Sequence, residues 1–308
     1  MNNKITAELI TTIKVGNQLG EGVQWHIQSQ LLWWTDIQNA CLFSYCLTSK
    51  KLCQYGMPER VGCFGFIENS DRLIIAFETG IALFDIKINE IEWLARPEMS
   101  IKGNRFNDGR IDRQGRFWAG TMNQNETAPT AKLYCYDDFC DSHKQCTELL
   151  SNITVSNGLC FSPDGKTMYH ADSPTREIYQ YDFDIKTAQL SNKKRFAITD
   201  EGCFPDGSCI DEAGYLWNAQ WAGSQIVRYQ PDGEIDWVLK TNVSQPSCVA
   251  IGGPNMDLLF ITSAKQGLNK SQLKQDDKAG HVFIYQLNGI KGLPEDQFVL
   301  DNETKVKI

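Results

Sequence analysis

LLWWTD, at residues 31–36, is a short apolar run of the kind that forms a β-strand. Five similar runs follow: RLIIAF (72–77), RFWAGT (116–121), TMYHAD (167–172), YLWNAQ (215–220) and LLFITS (258–263). Successive runs are 41 to 51 positions apart when counted at Leu32, Leu73, Phe117, Met168, Leu216 and Leu259. This period, with several short strands per repeat, is typical of a β-propeller with about four strands per blade. The sequence therefore predicts an all-β, six-bladed β-propeller.

Oxygen-bearing side chains recur at one place in this repeat. Ten or 11 residues before the strand-like residue, four of the repeats carry Glu21, Asn107, Asn157 and Asp206. Equivalent positions of successive blades point at a common axis, so we expect these four side chains to meet in the central channel. Carboxylate and amide oxygens are the ligands that a hard cation prefers. The pattern predicts a metal site in the channel.

The chain of 308 residues reads as a single propeller domain, residues 1–308. We find no linker, low-complexity stretch or change in composition along it. Near the N-terminus, ITAELITTIKV (5–15) has a strand pattern. We expect this strand to pair with HVFIYQL (281–287) and complete the last blade, because a closed ring leaves no free sheet edge.

Charge and cysteine content narrow the functional classes. The net charge of −8 and the sequence pI near 5.1 disfavour binding to nucleic acid or to an anionic membrane. No segment has the length and apolar character of a membrane helix or a signal peptide, which predicts a cytoplasmic protein. We expect it to be a monomer or a weak oligomer. The 11 cysteines are irregularly spaced without a CxxC pair, and are read as free, mostly buried thiols in a reducing compartment.

Several common kinds of catalytic site are not supported by the motifs. The four histidines, His26, His143, His170 and His281, are scattered and none is paired at metal-ligand spacing. The chain has no G-x-S-x-G nucleophile motif and no EF-hand loop. GLCFSPDGKT (158–167) lacks the glycine that a phosphate-binding loop needs, and its PDG reads as a hairpin turn. Any calcium site must therefore be assembled from residues far apart in sequence.

Four motifs in order resemble a known family. GEGVQW (20–25), RFNDGRIDRQGRFWAGTM (105–122), SNGL (156–159) and PDGSCIDEAGYLW (205–217) are similar to the successive signatures of the gluconolactonase and regucalcin family, also known as the senescence-marker and luciferin-regenerating-enzyme family. The resemblance extends from about residue 17 to residue 293. It implies a six-bladed propeller with one divalent metal ion on the channel axis, and hydrolysis of sugar lactones.

The resemblance also implies site residues. The metal ligands of the family fall on Glu21, Asn157 and Asp206, and its substrate-binding arginine and asparagine fall on Arg105 and Asn107. A further substrate-binding glutamate matches Glu126 with one extra residue before it, which leaves the neighbouring Asn125 as the alternative. Two carboxylates and one amide leave coordination positions open for water and substrate. Asp206 is the candidate general base, because a ligand carboxylate with a free oxygen can accept a proton from water.

These assignments lead to one function and two alternatives. The expected reaction is hydrolysis of an aldonolactone to the aldonic acid by metal-activated water, with the substrate held by Arg105 and Asn107. All-oxygen ligation favours calcium, and zinc, magnesium and manganese remain open. The alternatives are an arylesterase or organophosphate hydrolase on the same scaffold, and a calcium-binding regulatory protein without catalysis. The sequence leaves the identity of the sugar open, because specificity depends on loops over the channel mouth.

Overall fold

The computed structural model describes residues 5–138 and 145–300. Within these residues, 24 strands form six four-stranded sheets, and the two helical segments, Ser173–Thr175 and Lys270–Gln275, are short. In chain order the strands are Thr6–Ile13 (β1), Gly20–His26 (β2), Leu31–Asp36 (β3), Cys41–Cys46 (β4), Leu52–Gly56 (β5), Val61–Phe66 (β6), Leu73–Phe77 (β7), Gly80–Asp85 (β8), Glu90–Ala95 (β9), Asn104–Ile111 (β10), Phe117–Asn123 (β11), Ala131–Asp137 (β12), Gln145–Ile153 (β13), Ser156–Phe161 (β14), Thr167–Asp172 (β15), Glu177–Phe183 (β16), Leu190–Ile198 (β17), Phe204–Ile210 (β18), Leu216–Trp221 (β19), Gln225–Tyr229 (β20), Ile235–Lys240 (β21), Pro246–Gly252 (β22), Leu258–Ser263 (β23) and Val282–Asn288 (β24).

The six sheets are the blades of a closed propeller. Blades 1 to 5 are β2–β5, β6–β9, β10–β13, β14–β17 and β18–β21, and blade 6 combines β22, β23 and β24 with β1. The inner strands β2, β6, β10, β14, β18 and β22 each contact the next one, and β22 contacts β2. The six-bladed architecture expected from the repeat is therefore confirmed. β1 pairs antiparallel with β24, so the outermost strand of blade 6 comes from the start of the chain.

Hydrophobic burial follows the distance of a strand from the channel. The second and third strands of a blade are buried on both faces, because each blade is covered by a blade on either side; every residue of β7 is buried, for example. The outer strands face water on one side, and β5 accordingly alternates between exposed and half-buried residues. The apolar runs that the sequence analysis used to count repeats are these second strands, which explains why they were the clearest signal.

Each inner strand has a β-bulge near its start. The register with the second strand shifts between Glu21 and Gln24, Val61 and Cys63, Phe106 and Gly109, Asn157 and Cys160, Pro205 and Ser208, and Pro246 and Val249. A bulge inserts an extra residue, bends the strand and re-aims a side chain. We use the term axis positions for the six equivalent residues at the edge of or inside these bulges: Glu21, Gly62, Asn107, Asn157, Asp206 and Ser247.

The structure bears on two sequence expectations, one about membrane-spanning helices and one about free thiols. Neither helical segment in the described part of the chain is long and apolar enough to cross a membrane. The ten described cysteines are free thiols, as predicted, and Cys140 lies outside the described residues, as does His143.

A buried aspartate fixes the tight turn between the inner and second strands of blade 5. Asp211 Oδ1 accepts hydrogen bonds from the backbone N–H groups of Ala213 and Tyr215, each at 3.0 Å. Its Oδ2 accepts from Trp217 Nε1 at 3.0 Å and from Arg228 Nη2 at 2.7 Å. Asp211 is 1% exposed, so both charges of the Asp211–Arg228 pair are shielded from water. The aspartate therefore satisfies the turn, the indole and the buried guanidinium together.

We expect Asp211→Ala to lower the free energy of unfolding by about 3 kcal/mol, because it leaves buried donors of the turn and of Trp217 unpaired and removes one of the two carboxylates that pair with the buried Arg228. Urea denaturation of the variant and the wild type measures the difference. Asp71→Ala is the matched control, because it removes an exposed ion pair with Lys87 and should change stability little. Equal stability of the Asp211 variant and the wild type would contradict this role.

Candidate metal centre and substrate pocket

One cavity of about 190 Å³ opens where the inner strands begin. All six side chains that the sequence analysis selected line it: Glu21, Arg105, Asn107, Glu126, Asn157 and Asp206. Glu21 lies on β2, Arg105 and Asn107 on β10, Asn157 on β14 and Asp206 on β18. All of these side chains are buried except that of Glu126, which is exposed at the cavity mouth. The bulged inner strands thus bring residues up to 185 positions apart into one site.

Two buried carboxyl groups face each other in this cavity. Burial raises the pKa of Glu21 to about 8, and the charge of Asp108 contributes to the rise. Burial also raises the pKa of Asp206 well above its usual range, with the charges of Glu21 and Asp108 next in importance. No Lys or Arg of the described residues forms an ion pair with Glu21 or Asp206. When ionised, these two carboxylates lack an ion-pair partner, which is unfavourable for groups removed from water and is why burial raises their pKa values.

A chain of hydrogen bonds fixes the orientation of the two amide side chains. Arg105 Nη1 donates to Asn107 Oδ1 at 2.8 Å, and Asn107 Nδ2 donates to Asn157 Oδ1 at 2.9 Å. Asn157 Nδ2 donates to Ser173 Oγ at 2.8 Å, and that hydroxyl donates to the backbone carbonyl of Pro205 at 2.8 Å. A guanidinium can only donate and a carbonyl can only accept, so the ends of the chain determine the direction of every bond. The oxygen of Asn107 therefore faces Arg105 rather than the carboxylates.

This donor set fits a divalent cation. Glu21 and Asp206 supply two carboxylates, and Asn157 Oδ1 accepts one hydrogen bond and keeps a second lone pair. A cation between the carboxylates would offset the charge that burial makes costly. Within residues 5–138 and 145–300, no three His, Cys, Asp or Glu side chains form a metal-ligand group. The expected site differs from such a group because its third ligand is an amide.

Asp108 is a half-buried carboxylate that the sequence analysis did not select. Its Oδ2 accepts a hydrogen bond from the backbone N–H of Leu159 at 2.9 Å, which ties the inner strand of blade 3 to that of blade 4. Burial raises its pKa, while its backbone hydrogen bonds and the charge of Arg110 lower it. The position follows Asn107 in RFNDG, and only the contact with the neighbouring strand reveals what it does. Asp108 holds the backbone beside Asn157.

Arg105 is the cationic group of the cavity. The side chain is 3% exposed, and Nη1 also donates to its neighbour Phe106 O at 2.8 Å. Its Nε and Nη2 donate to no residue in the described part of the chain and remain available to a ligand. Burial and, after it, the nearby charge of Arg60 lower the pKa of Arg105 to about 10, and the carboxylates of Glu21 and Glu78 oppose this shift. The guanidinium therefore stays protonated near neutral pH.

A short loop after β11 places Glu126 at the mouth. Asn123 Oδ1 accepts hydrogen bonds from the backbone N–H groups of Asn125 at 3.2 Å and Thr127 at 3.4 Å. Glu126 has a left-handed backbone, with φ of 54°, which turns its side chain toward the cavity. Asn125, the alternative from the sequence, is exposed and does not line the cavity.

The remaining wall of the cavity was not found from sequence. Two residues before the axis positions lies a second set of equivalent residues, which we term the wall positions: Leu19, Arg60, Arg105, Val155, Phe204 and Gln245. Because side chains two apart in a strand share a face, a wall position lies beside its axis position, nearer the mouth. Leu19, Val155 and Phe204 line the cavity with Trp221, and each of the first three lies beside a polar axis position of its own blade. The signal was present, since the wall positions have the same period as the axis positions.

Comparison with known proteins relates the chain to a family and to proteins with names. Residues 19–265 match the family described as SMP-30/Gluconolactonase/LRE-like region. The chain is 36% identical to the L-arabinolactonase of Azospirillum brasilense, over 88% of this chain and 89% of that protein. It is 34% identical to the 6-deoxy-6-sulfogluconolactonase of Pseudomonas putida, over 91% and 94% of the two chains. A calcium-binding protein, regucalcin, from Agrobacterium tumefaciens has a solved structure that superimposes with a TM-score of 0.88 at 27% identity, over 94% and 98% of the two chains.

The raised pKa of Glu21 makes a prediction about stability and pH. The folded protein without metal keeps a proton that the unfolded chain releases above about pH 4.5. The contribution of Glu21 to the free energy of unfolding therefore falls as the pH rises from about 4.5 to about 8. A cation that binds the ionised carboxylates opposes this loss. We expect calcium to raise the melting temperature, and to raise it more at pH 8 than at about pH 5.

Thermal unfolding with chelator and with calcium measures this effect at both pH values. At 100 times the dissociation constant, a ligand specific for the native state contributes about 2.7 kcal/mol. Asp206→Ala, which removes one proposed ligand, should abolish most of the calcium effect. A melting temperature that does not respond to divalent cations, or a response equal at both pH values, would contradict the site.

Proposed function

The chain belongs to the SMP-30/Gluconolactonase/LRE-like family, and we propose that it hydrolyses a sugar lactone to the aldonic acid with a divalent cation held by Glu21, Asn157 and Asp206. The observation that carries this proposal is the convergence of two buried carboxyl groups, neither in an ion pair, with an oriented amide oxygen in one open cavity. Relatives named as lactonases for L-arabinolactone and for a sulfogluconolactone support the reaction and the substrate class.

The cation is part of the proposal, and calcium is the ion we favour. All three proposed ligands are oxygen atoms, which suit a hard cation, and a structural neighbour is described as calcium-binding. When bound, such an ion would polarise the lactone carbonyl, stabilise the negative charge that develops on its oxygen and acidify water. Zinc, magnesium and manganese remain alternatives for the same oxygen ligands.

The protein's own residues bind and orient the substrate. Arg105 has unused donors that face the cavity, and we assign them to hydroxyl groups of the sugar. Asn107 lies between Arg105 and Asn157, so we infer that it couples the position of the substrate to that of the ligand amide. Glu126 accepts hydrogen bonds from hydroxyl groups at the mouth, because a carboxylate only accepts when ionised. Phe204 and Trp221 offer apolar surface to the C–H face of the ring.

Asp206 is the proposed general base. Its carboxylate lies in the cavity beside Glu21, so its second oxygen is within reach of water that enters. We infer that Asp206 accepts a proton from the attacking water and passes it to the ring oxygen that leaves. The water oxygen forms a bond to the lactone carbonyl carbon, the bond between that carbon and the ring oxygen breaks, and the products are a carboxylic acid, which ionises, and a free hydroxyl group. Glu21, the other buried carboxylate among the proposed ligands, accepts a hydrogen bond at Oε2 from the backbone N–H of Gly22, so we assign the base role to Asp206.

The composition of the cavity favours a sugar over the alternative substrates. An aryl ester or an organophosphate lacks the hydroxyl groups that Arg105, Asn107 and Glu126 are placed to bind. Polar groups left unpaired by such a substrate would cost binding energy, and a site built for hydroxyl groups rejects analogues without them. A cavity that combines these polar groups with a few apolar residues, such as Phe204 and Trp221, suits a small polar ring.

Asp206→Asn separates the two proposed roles of this residue. The amide keeps one oxygen for the cation but cannot accept a proton, so we expect lactone hydrolysis to fall at least about 100-fold while the folded protein still binds calcium, more weakly. Acid release from an aldonolactone measures turnover, and calorimetry measures cation binding. Asp200→Asn, in the exposed part of the preceding loop, is the matched control and should retain activity. Wild-type turnover in Asp206→Asn would remove this residue as the base.

Arg105→Lys tests substrate recognition separately from cation binding. Lysine keeps the charge but loses the fork of donors, so we expect kcat/KM for an aldonolactone to fall. The fall should correspond to a loss of transition-state stabilisation of roughly 1 to 3 kcal/mol. Cation affinity should stay close to that of the wild type, because an arginine cannot be a ligand. The exposed Arg195→Lys is the control. Loss of the cation in Arg105→Lys, or unchanged hydrolysis, would show that the motif has another role.

A further inference from the structure

Arg60 is the equivalent of Arg105 in the neighbouring blade. Both occupy wall positions, two residues before the axis positions Gly62 and Asn107. The charge of Arg60 lies close enough to Arg105 to lower the pKa of that group. Unlike Arg105, however, Arg60 does not line the cavity. Its guanidinium is directed toward the rim of the channel and contacts side chains from three loops.

The contacts of Arg60 connect it to both sides of the mouth. Nε and Nη2 bind the carboxylate of Glu78, at 2.8 and 2.5 Å, which fixes the guanidinium in place. Nη2 also donates to Gln124 Oε1 at 2.7 Å, in the loop that carries Glu126. Nη1 donates to Gln38 Oε1 at 3.3 Å, on the turn that follows the second strand of blade 1.

Gln38 carries the connection to a fourth loop. Its Nε2 donates to Gln266 Oε1 at 2.7 Å, and Gln266 lines the cavity from the loop that follows the second strand of blade 6. The backbone carbonyl of Gln266 also accepts a hydrogen bond from Gln245 Nε2 at 2.9 Å, and Gln245 is the wall position of blade 6. The two wall positions that do not line the cavity, in blades 2 and 6, thus hold rim residues that do.

The hydrogen-bond network around Arg60 extends over half of the rim. Glu126 belongs to blade 3 and Gln266 to blade 6, and these blades lie opposite each other in a ring of six. The other half of the mouth carries the apolar groups Phe204 and Trp221. A lactone that enters therefore meets Glu126 and Gln266 at the two ends of one edge, which we term the polar edge, and Phe204 and Trp221 in the other half of the mouth. Arg60 is the residue common to both ends of the polar edge.

We propose that Arg60 is a positioning residue for hydroxyl-bearing substrates: it holds Glu126 and Gln266 at the spacing needed to bind the hydroxyl groups of a sugar lactone. This inference rests on the proposed lactonase function. Arginine suits the role because its planar fork donates to several acceptors at fixed angles, whereas lysine presents a single point charge. Glu78, Gln38 and Gln124 occupy four of the five N–H donors and Arg60 does not line the cavity, so it acts through these neighbours and not on the substrate.

The test compares a lactone that carries hydroxyl groups with one that has none. For Arg60→Lys, we expect KM for a five-carbon aldono-1,4-lactone to rise by about tenfold, the effect of one or two lost hydrogen bonds, with kcat within about threefold of the wild type. The inhibition constant of γ-butyrolactone, used as a competitor with the same ring, should stay unchanged. Calcium affinity measured by calorimetry should also stay unchanged.

Two further variants make the result specific. Gln124→Ala breaks only the link to the Glu126 loop, and we expect it to raise KM for the aldonolactone in the same direction without affecting the competitor. Arg72→Lys, in the same blade, pairs with Glu92 away from the mouth and is the matched control. Unchanged KM in Arg60→Lys, or equal weakening of both lactones, would overturn the inference while leaving the lactonase function intact. If the wild type hydrolyses no lactone, the proposed function is wrong and this inference falls with it.

Discussion

The β-bulge at the start of each inner strand is the constraint on which the site depends. In a regular strand, a shift of one residue turns every following side chain to the opposite face. The bulge makes this shift locally, so the start of the strand aims at the channel while the rest packs between blades. Gly22 and Gly158 have left-handed backbones, with φ of 57° and 66°, beside the proposed ligands Glu21 and Asn157. Glycine tolerates this conformation at no steric cost.

The carboxyl groups that meet in the channel are electrostatically unfavourable when they are ionised. Burial raises the pKa values of Glu21, Asp206 and Asp108 together, because ionising three neighbouring carboxyl groups where water is scarce is unfavourable. Such a cluster is unfavourable for folding unless a cation offsets it. The hydrogen-bond chain from Arg105 through the two amides meanwhile keeps an oxygen of Asn157 oriented beside the carboxylates. Binding of a cation and stability of the fold are therefore coupled in this account.

The sequence predicted the architecture and the axis positions well, because both depend on a period that repeats in every blade. It also indicated Glu126 despite an added residue in the loop. The period alone does not state which positions carry chemistry: Gly62 and Ser247 are equivalent axis positions. A side chain at Gly62 would meet the backbone of blade 3, and the hydroxyl of Ser247 donates to the backbone carbonyl of Gly20. What fills each position depends on the neighbouring blade, which one strand pattern does not encode.

The network around Arg60 was beyond sequence reasoning for a different reason. Its partners Gln38, Glu78 and Gln124 lie in three turns, and Gln266 lies more than 200 residues away. Long polar side chains in turns are usually solvated, and nothing in their spacing indicates that they meet. Their contact follows only from closure of the ring, which brings blade 6 beside blade 1.

Anomalous diffraction from crystals soaked in manganese tests the central claim most directly. Manganese prefers oxygen ligands, and its absorption edge identifies the ion independently of the protein atoms. We predict one strong peak in the channel, within coordination distance of a carboxylate oxygen of Glu21, a carboxylate oxygen of Asp206 and the amide oxygen of Asn157. A peak elsewhere, or an empty channel in crystals of a protein that hydrolyses sugar lactones in the presence of chelator, would contradict the account.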